Sequence, residues 1–296
     1  MKQLPSSDDL KSAYFEFAEF TFDLLTKATE DIRLLKFAAV NAQITLELFL
    51  KYVFIATGKA DDITKKKRGS SAEDFVDFSQ ILNHAFAIKL IRGVKKKDIE
   101  TLCAARNSIV HRGAASTVEN DLVEVVAICY LLIHFLSSDQ FGTHLLSRSY
   151  GPHPISQNTA WVSGVERFVA GLAPLNSHVP INCIHCGSKS LVSGDFITID
   201  GSQECEDVVC LCCLTSLSTI HEIALLKCSQ CCTASYFVDI LNPQAGQWYV
   251  GGCSTCDNGE WVRRCTNCEE FYFKSQVKEA CSENFNFCSK ACKADF

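Results

Sequence analysis

The feature that most constrains this chain is a series of six cysteine pairs after residue 180: Cys183/Cys186, Cys210/Cys213, Cys228/Cys231, Cys253/Cys256, Cys265/Cys268 and Cys288/Cys292. Taken two at a time in chain order they give three four-cysteine sites, with about twenty residues between the pairs of each, the spacing of zinc ribbons and treble clefs. Two such turns present four thiolates about 2.3 Å from one tetrahedral Zn²⁺. The hairpin between them is too small to fold unaided, so the metal supplies the missing core. Val208 and Val209, Tyr236-Phe237-Val238 and Trp248-Tyr249-Val250 fit the strands of such hairpins. Each site has a full sulfur complement and leaves no position open for water, so three structural Zn²⁺ ions are predicted.

Two ligand choices stay open, because Cys212 adjoins Cys213 and Cys232 adjoins Cys231. His185, His221, Cys205 and Cys281 are substitutes of lower rank beside four well-spaced cysteines. The chain has 18 cysteines, of which only Cys103 and Cys129 precede residue 180, so its two halves differ in kind. Their concentration reads as metal binding if the compartment is reducing. Met1 to Asp9 is polar and the following stretch amphipathic, unlike a secretory leader. The longest apolar run, Val125 to Leu136, contains His134 and reads as too short to span a bilayer. A cytoplasmic chain without a membrane segment is expected.

The first half alternates apolar and polar residues at helical spacing. Leu10, Tyr14, Phe17, Phe20, Leu24 and Leu25 form one stripe. Helices are predicted from Ser7, from Thr29 to Thr57, from Ser71 to Ile91, from Lys95 to Gly113 and from Glu119 to Leu136, with the second the most buried. Gly58 to Ser70 reads as a polar loop and Ala160 to Leu172 as a short helix. The fold class is α+β and multidomain: a helical bundle over 1–138, a linker over 139–180, and zinc modules over 181–226, 227–260 and 261–296. The net charge is -6, and acids and bases balance over residues 1–138, so the deficit lies in the cysteine-rich half. That half does not read as a sequence-independent nucleic-acid binder.

The stretch Lys95 to Gly113, KKKDIETLCAARNSIVHRG, carries the chemistry of the first half. On a helix Arg106 falls in the middle of an apolar stripe with Ile99, Leu102, Cys103, Ile109 and Val110. Asn107 and His111, four residues apart, share a neighbouring face. A guanidinium centred on such a stripe costs several kcal/mol unless something meets it. The partner is either an internal acid, for which Glu47 is the candidate, or an anion in a groove facing another helix or a second copy. Lys95, Lys96 and Lys97 stand where the helix dipole disfavours cations, as they would beside an anion or simply splayed into water.

The run Arg106-Asn107-Ser108-Ile109-Val110-His111 resembles the R-x4-6-H signature of HEPN domains, all-helical modules of which many are metal-independent ribonucleases. The resemblance covers roughly the first half of the chain. It implies an endoribonuclease, acting as a toxin or in phage defence, in which the RNA's own 2′-OH attacks the adjacent phosphate. His111 would transfer the proton, Arg106 would stabilise the phosphorane charge and Asn107 would orient one of them. It also implies a homodimer with two motifs facing one cleft. Some toxins of this family carry a modifiable tyrosine two residues past the histidine, where this chain has Gly113. The last cysteine module, with Phe287-Cys288-Ser289 and Cys292, resembles FCS or TRASH-type treble clefs, which usually bind proteins or sense metals. The zinc modules would then target or regulate the nuclease. The competing expectation is a non-catalytic adaptor that binds protein or RNA.

Overall fold

A computed structural model describes residues 4–66, 73–112, 120–149, 151–176, 180, 182–183, 185–194, 196–201, 207–218, 223–241, 243–244, 246–253, 255–256, 258–276 and 286–294. At 111, 112, 120, 121, 176, 207, 217 and 218 only the backbone is described. The chain divides into a helical unit, residues 1–147 with 153–172, and a strand-rich unit, residues 148–152 with 173–296.

The first helix, α1 (Ser7–Lys27), starts in a capping box: Ser6 Oγ accepts from Asp9 N–H at 3.1 Å and Asp9 Oδ2 accepts from Ser6 N–H at 3.0 Å. It packs along α2 (Leu34–Ala56), whose Leu35, Leu46, Phe49 and Leu50 are fully buried. Helix α2 begins at Leu34, not Thr29, because residues 28–31 turn back on the end of α1 and Arg33 clasps Asp31 at 2.8 Å. It is the hub of the unit, touching α1, α3, α4 and α5.

The stretch after Gly58 differs from the loop and long helix predicted. Strands β1 (Thr64–Lys66) and β2 (Glu73–Phe75) pair antiparallel, so α3 (Phe78–Ala87) starts at Phe78 instead of Ser71. Lys51 Nζ lies 4.8 Å from the Phe75 ring centre, and pairing across the chain overrides local helical preference here.

The motif helix is α4 (Lys96–Arg112), followed by α5 (Asn120–Phe141) and α6 (Thr159–Asn176). Helix α5 is longer than its apolar run predicted: Leu34–Ala56 and Leu122–Phe141 are both long and apolar enough to cross a membrane, and both are mostly buried inside the unit. His134 is fully buried and its Nδ1 accepts from Leu145 N–H at 3.1 Å, a packed structural role. Within the segment read as a linker, the short helix expected at Ala160 to Leu172 forms as α6 and runs a few residues longer. Asn158 Oδ1 caps α6 by accepting from Ala160 and Trp161 N–H at 3.0 and 3.1 Å, and Trp161, Val165, Phe168 and Leu172 enter the core. At Gly164 the helix crosses α5 so closely that a Cβ would stand 2.7 Å from Glu124 O and Ala127 Cβ.

In the second unit β3 (Leu191–Ser193), β4 (Asp207–Cys210) and β5 (Ser216–Ser218) form an antiparallel sheet. A five-stranded antiparallel meander follows: β6 (Ile223–Lys227), β7 (Ala234–Asp239), β8 (Trp248–Cys253), β9 (Gly259–Arg264) and β10 (Phe271–Phe273). Strand β9 runs across residues 260 and 261, so the second and third cysteine modules share one sheet. The short α7 (Lys290–Ala294) closes the third.

Candidate functional site

Every pair in the cysteine-rich half finds the partner its order predicts. The clusters are Cys183, Cys186, Cys210 and Cys213; Cys228, Cys231, Cys253 and Cys256; and Cys265, Cys268, Cys288 and Cys292, each with its sulfurs within 4.8 Å of one another. A tetrahedron of thiolates around zinc at about 2.3 Å has edges of about 3.8 Å. The sulfurs of Cys183 and Cys213 are 3.7 Å apart, those of Cys228 and Cys256 3.7 Å, and those of Cys268 and Cys288 3.6 Å. Four soft ligands at tetrahedral spacing fit three structural Zn²⁺ ions.

The knuckle geometry decides both open ligand choices. In four of the knuckle turns the N–H four residues past the first cysteine donates to that cysteine's carbonyl: Gly187 to Cys183 at 2.8 Å, Leu214 to Cys210 at 2.9 Å, Cys232 to Cys228 at 3.1 Å and Glu269 to Cys265 at 3.0 Å. All four donors have φ between 59° and 74°. Cys232 is therefore the residue that ends a knuckle in left-handed backbone, exposed and outside the cluster, in the place Gly187 takes in the first turn. Cys212 is buried and likewise outside the cluster, while Cys213 is in it. Cys205, His221 and Cys281 lie outside the described residues. His185 instead lines a groove of about 1000 Å³ beside Phe237 and Val250.

Hydroxyl groups around the sulfurs were not foreseen. Thr215 Oγ1 lies 3.1 Å from Cys213 Sγ and Thr233 Oγ1 2.9 Å from Cys231 Sγ, each two residues beyond a ligand. Ser190 Oγ and Ser235 Oγ lie 3.3 Å from Cys210 Sγ and 3.2 Å from Cys253 Sγ. Hydrogen bonds of this kind orient thiolates and spread their charge. Cys-x-Thr spacing after a knuckle was the available signal. Tyr272 is buried and Trp248 packs with it beside Cys265, whereas Trp261 stays 42% exposed.

In the helical unit, Arg106 lines a cleft of about 490 Å³ between α2, α3 and α4. Gln43 and Leu82 are buried in it, and Phe78, Glu47 and Cys103 are half-buried. Ser79, Asn83, Lys96, Glu100 and Asn107 stand at its exposed rim. The acid expected as the internal partner is occupied elsewhere: Glu47 Oε1 lies 2.6 Å from Lys51 Nζ, and Glu47 Oε2 accepts from Gln43 Nε2 at 3.2 Å. Glu100 pairs with Lys96 at 3.4 Å. Arg106 Nη1 donates to Asn107 Oδ1 at 3.0 Å, while Arg106 Nε is buried with no partner among the described residues. A buried orphan donor costs about 1–3 kcal/mol, which an anion entering the cleft would relieve.

The apolar stripe divides along its length. Ile99 and Leu102 are fully buried, but Ile109 is half-buried and Val110 is 49% exposed. Burial, with the Glu47 and Glu100 carboxylates adding, pushes the Cys103 thiol up to about 11, so this cysteine is a neutral lining group and not a nucleophile. His111 falls on α4 one turn beyond Asn107, and its side chain lies outside the described residues, as does Gly113. The three walls of the cleft come from distant parts of the chain, and no local pattern could have announced Gln43, Phe78 or Asn83.

The chain matches no protein-family model, no curated protein and no solved structure. What fold and geometry define is an N-terminal helical unit followed by three four-cysteine modules of structural zinc type.

Proposed function

We propose that this chain is a metal-independent endoribonuclease of the HEPN type, a cytosolic toxin or phage-defence effector whose zinc modules target or regulate it. The single observation that carries the reading is an arginine centred on a helix stripe, with a buried unpartnered Nε, in a cleft whose acids are paired with lysines. In the reaction the 2′-OH of the RNA attacks the adjacent phosphorus and the bond to the 5′ oxygen breaks. A 2′,3′-cyclic phosphate and a 5′-OH result. Arg106 meets the charge on the phosphoryl oxygens, Asn107 holds the guanidinium, and His111 carries the proton. Zinc takes no part in these steps. The half-open end of the stripe at Val110 supports a homodimer formed through the helical unit.

The test is cleavage of structured and unstructured RNA by zinc-loaded protein without added divalent cations, compared with Arg106→Ala and His111→Ala. Loss of about a hundredfold or more in both variants is expected. Undiminished cleavage in both removes the assigned roles.

A second reading, a non-catalytic adaptor gripping a protein through its zinc modules, is favoured by one face of the meander. Val250 and Trp261 are cross-strand partners on it, 52% and 42% exposed, and Leu225 is 47% exposed on the same face. An unchanged RNA in the cleavage assay, together with a stable protein complex lost on Trp261→Ser, decides for it.

A further inference from the structure

The helical cleft has more in it than a phosphate needs. Beside Arg106 lie an aromatic ring, Phe78, and a buried aliphatic side chain, Leu82, and next to them two carboxamides, Gln43 and Asn83. Its volume of about 490 Å³ falls in the range of small-ligand sites and accommodates one nucleotide, not a duplex. Gln43 is 5% exposed and its Nε2 is committed to Glu47, which fixes the amide, while the Asn83 carboxamide has no partner among the described residues. A ring face, an aliphatic neighbour, a free carboxamide and a guanidinium with its Nε still to be met are the groups that hold an extruded base and its phosphate.

We propose that this cleft seats one unpaired adenosine nucleotide of the RNA, its phosphate on Arg106, its base on Phe78 and Leu82, and its edge read by Asn83. Adenine is the base that a single carboxamide meets through two hydrogen bonds, accepting from the N6 amino group and donating to N7. The basic turn leading into α4 carries exposed Lys89, Arg92 and Lys95, followed in the chain by Lys96 at the cleft itself. That arrangement suits the phosphates of the flanking single strand. The identity of the polymer rests on the ribonuclease reading, but the base-selective pocket does not.

Calorimetric titration of the full-length, zinc-loaded protein with the four nucleoside 3′-monophosphates tests it. The adenosine compound is expected to bind at least about tenfold more tightly than those of cytidine and uridine. Asn83→Asp, at an exposed position, is expected to erase that preference, because a carboxylate cannot donate to N7. Arg106→Ala is expected to weaken all four alike, and Phe78→Leu to weaken the purines most. Equal binding of the four by the unaltered protein, or an unchanged order in Asn83→Asp, overturns the proposal. Adenine-selective binding by a protein that leaves RNA uncut supports the pocket and removes the nuclease. Cleavage with no base preference at the cut site removes the pocket and leaves the nuclease.

Discussion

Glu47 Oε1 lies 2.6 Å from Lys51 Nζ, one turn further along the same helix, and this pairing withholds from Arg106 an acid that lines its own cleft. Lysine and carboxylate are both more than half buried, at 15% and 30% side-chain exposure, so the pair is held in one geometry and is not a loose surface contact. Removing Lys51 would free the carboxylate to capture the guanidinium. On the proposed ribonuclease reading, Lys51→Met is therefore expected to lower RNA cleavage roughly tenfold, and Glu47→Gln in the same chain to restore it. Rates that do not recover in the double variant would show that the lysine acts in some other way.

The second expectation concerns Arg167, which holds the start of the motif helix. Its guanidinium contacts Asp98 of α4 through Nη2 and lies 3.3 Å from Glu124 of α5 through Nη1, joining three helices. The acids are 11% and 18% exposed and the arginine 40%, so the network falls between a surface pair and a buried one. Arg167→Met is expected to cost about 1–3 kcal/mol, read as an earlier urea midpoint for loss of helical signal.

Helix crossing at Gly164 gives a third. A Cβ there meets the backbone oxygen of Glu124 at 2.7 Å, and at Gly171 it meets Gly93 O at 2.1 Å. Neither neighbour is a flexible side chain. Gly164→Ala and Gly171→Ala should each destabilise the helical unit by about 1–3 kcal/mol despite the better helix propensity of alanine, measured by thermal unfolding.

For the zinc centres, metal analysis of the intact chain is expected to return close to three zinc ions, one per cluster. Cys213→Ser should bring this near two, whereas Cys212→Ser and Cys232→Ser should leave it unchanged, since only Cys213 belongs to a cluster. The third cluster contains exposed Cys268 and half-exposed Cys288 and Cys292, so a chelator should empty it before the first, whose Cys183, Cys210 and Cys213 are buried. Simultaneous release from all three would contradict that order.

The Cys103 thiol adds a pH dependence. Its value is raised from 9.0 to about 11 in the folded protein by burial. Below pH 9 the thiol is protonated whether folded or unfolded and contributes no slope. Between 9 and about 11 the unfolded chain loses the proton first, so stability falls as pH rises through this window. Cys103→Ala should flatten the decline over that range, measured as urea midpoints of the two proteins.

How much of this was legible beforehand follows from how local each feature is. A Cys-x2-Cys or Cys-x3-Cys turn places two sulfurs on one metal within one short turn, so the cysteine order grouped the six pairs into three sites with two ligand choices open, and helical periodicity placed α1, α2, α4 and α5 to within a few residues of their ends. Adjacent cysteines could not be ranked from spacing, because what separates Cys231 from Cys232 is a backbone angle of 60° and an N–H pointed at the Cys228 carbonyl. The short strand at Glu73–Phe75, the sheet shared by two zinc modules and the packing of the sixth helix into the helical unit depended on partners distant in the chain, although periodicity shows that helix itself.

The sequence by itself determined a helical half with one arginine set among apolar residues and a second half that folds around zinc, since both rest on spacings of three or four residues. Only the tertiary structure decided what that arginine faces. Helices α2, α3 and α4 meet around it, Lys51 takes the acid that would have neutralised it, and a polar-rimmed cleft is left at its side. The reason is physical: a charge buried by distant segments is governed by which groups those segments bring within a few ångströms, and periodicity along one helix carries no record of that.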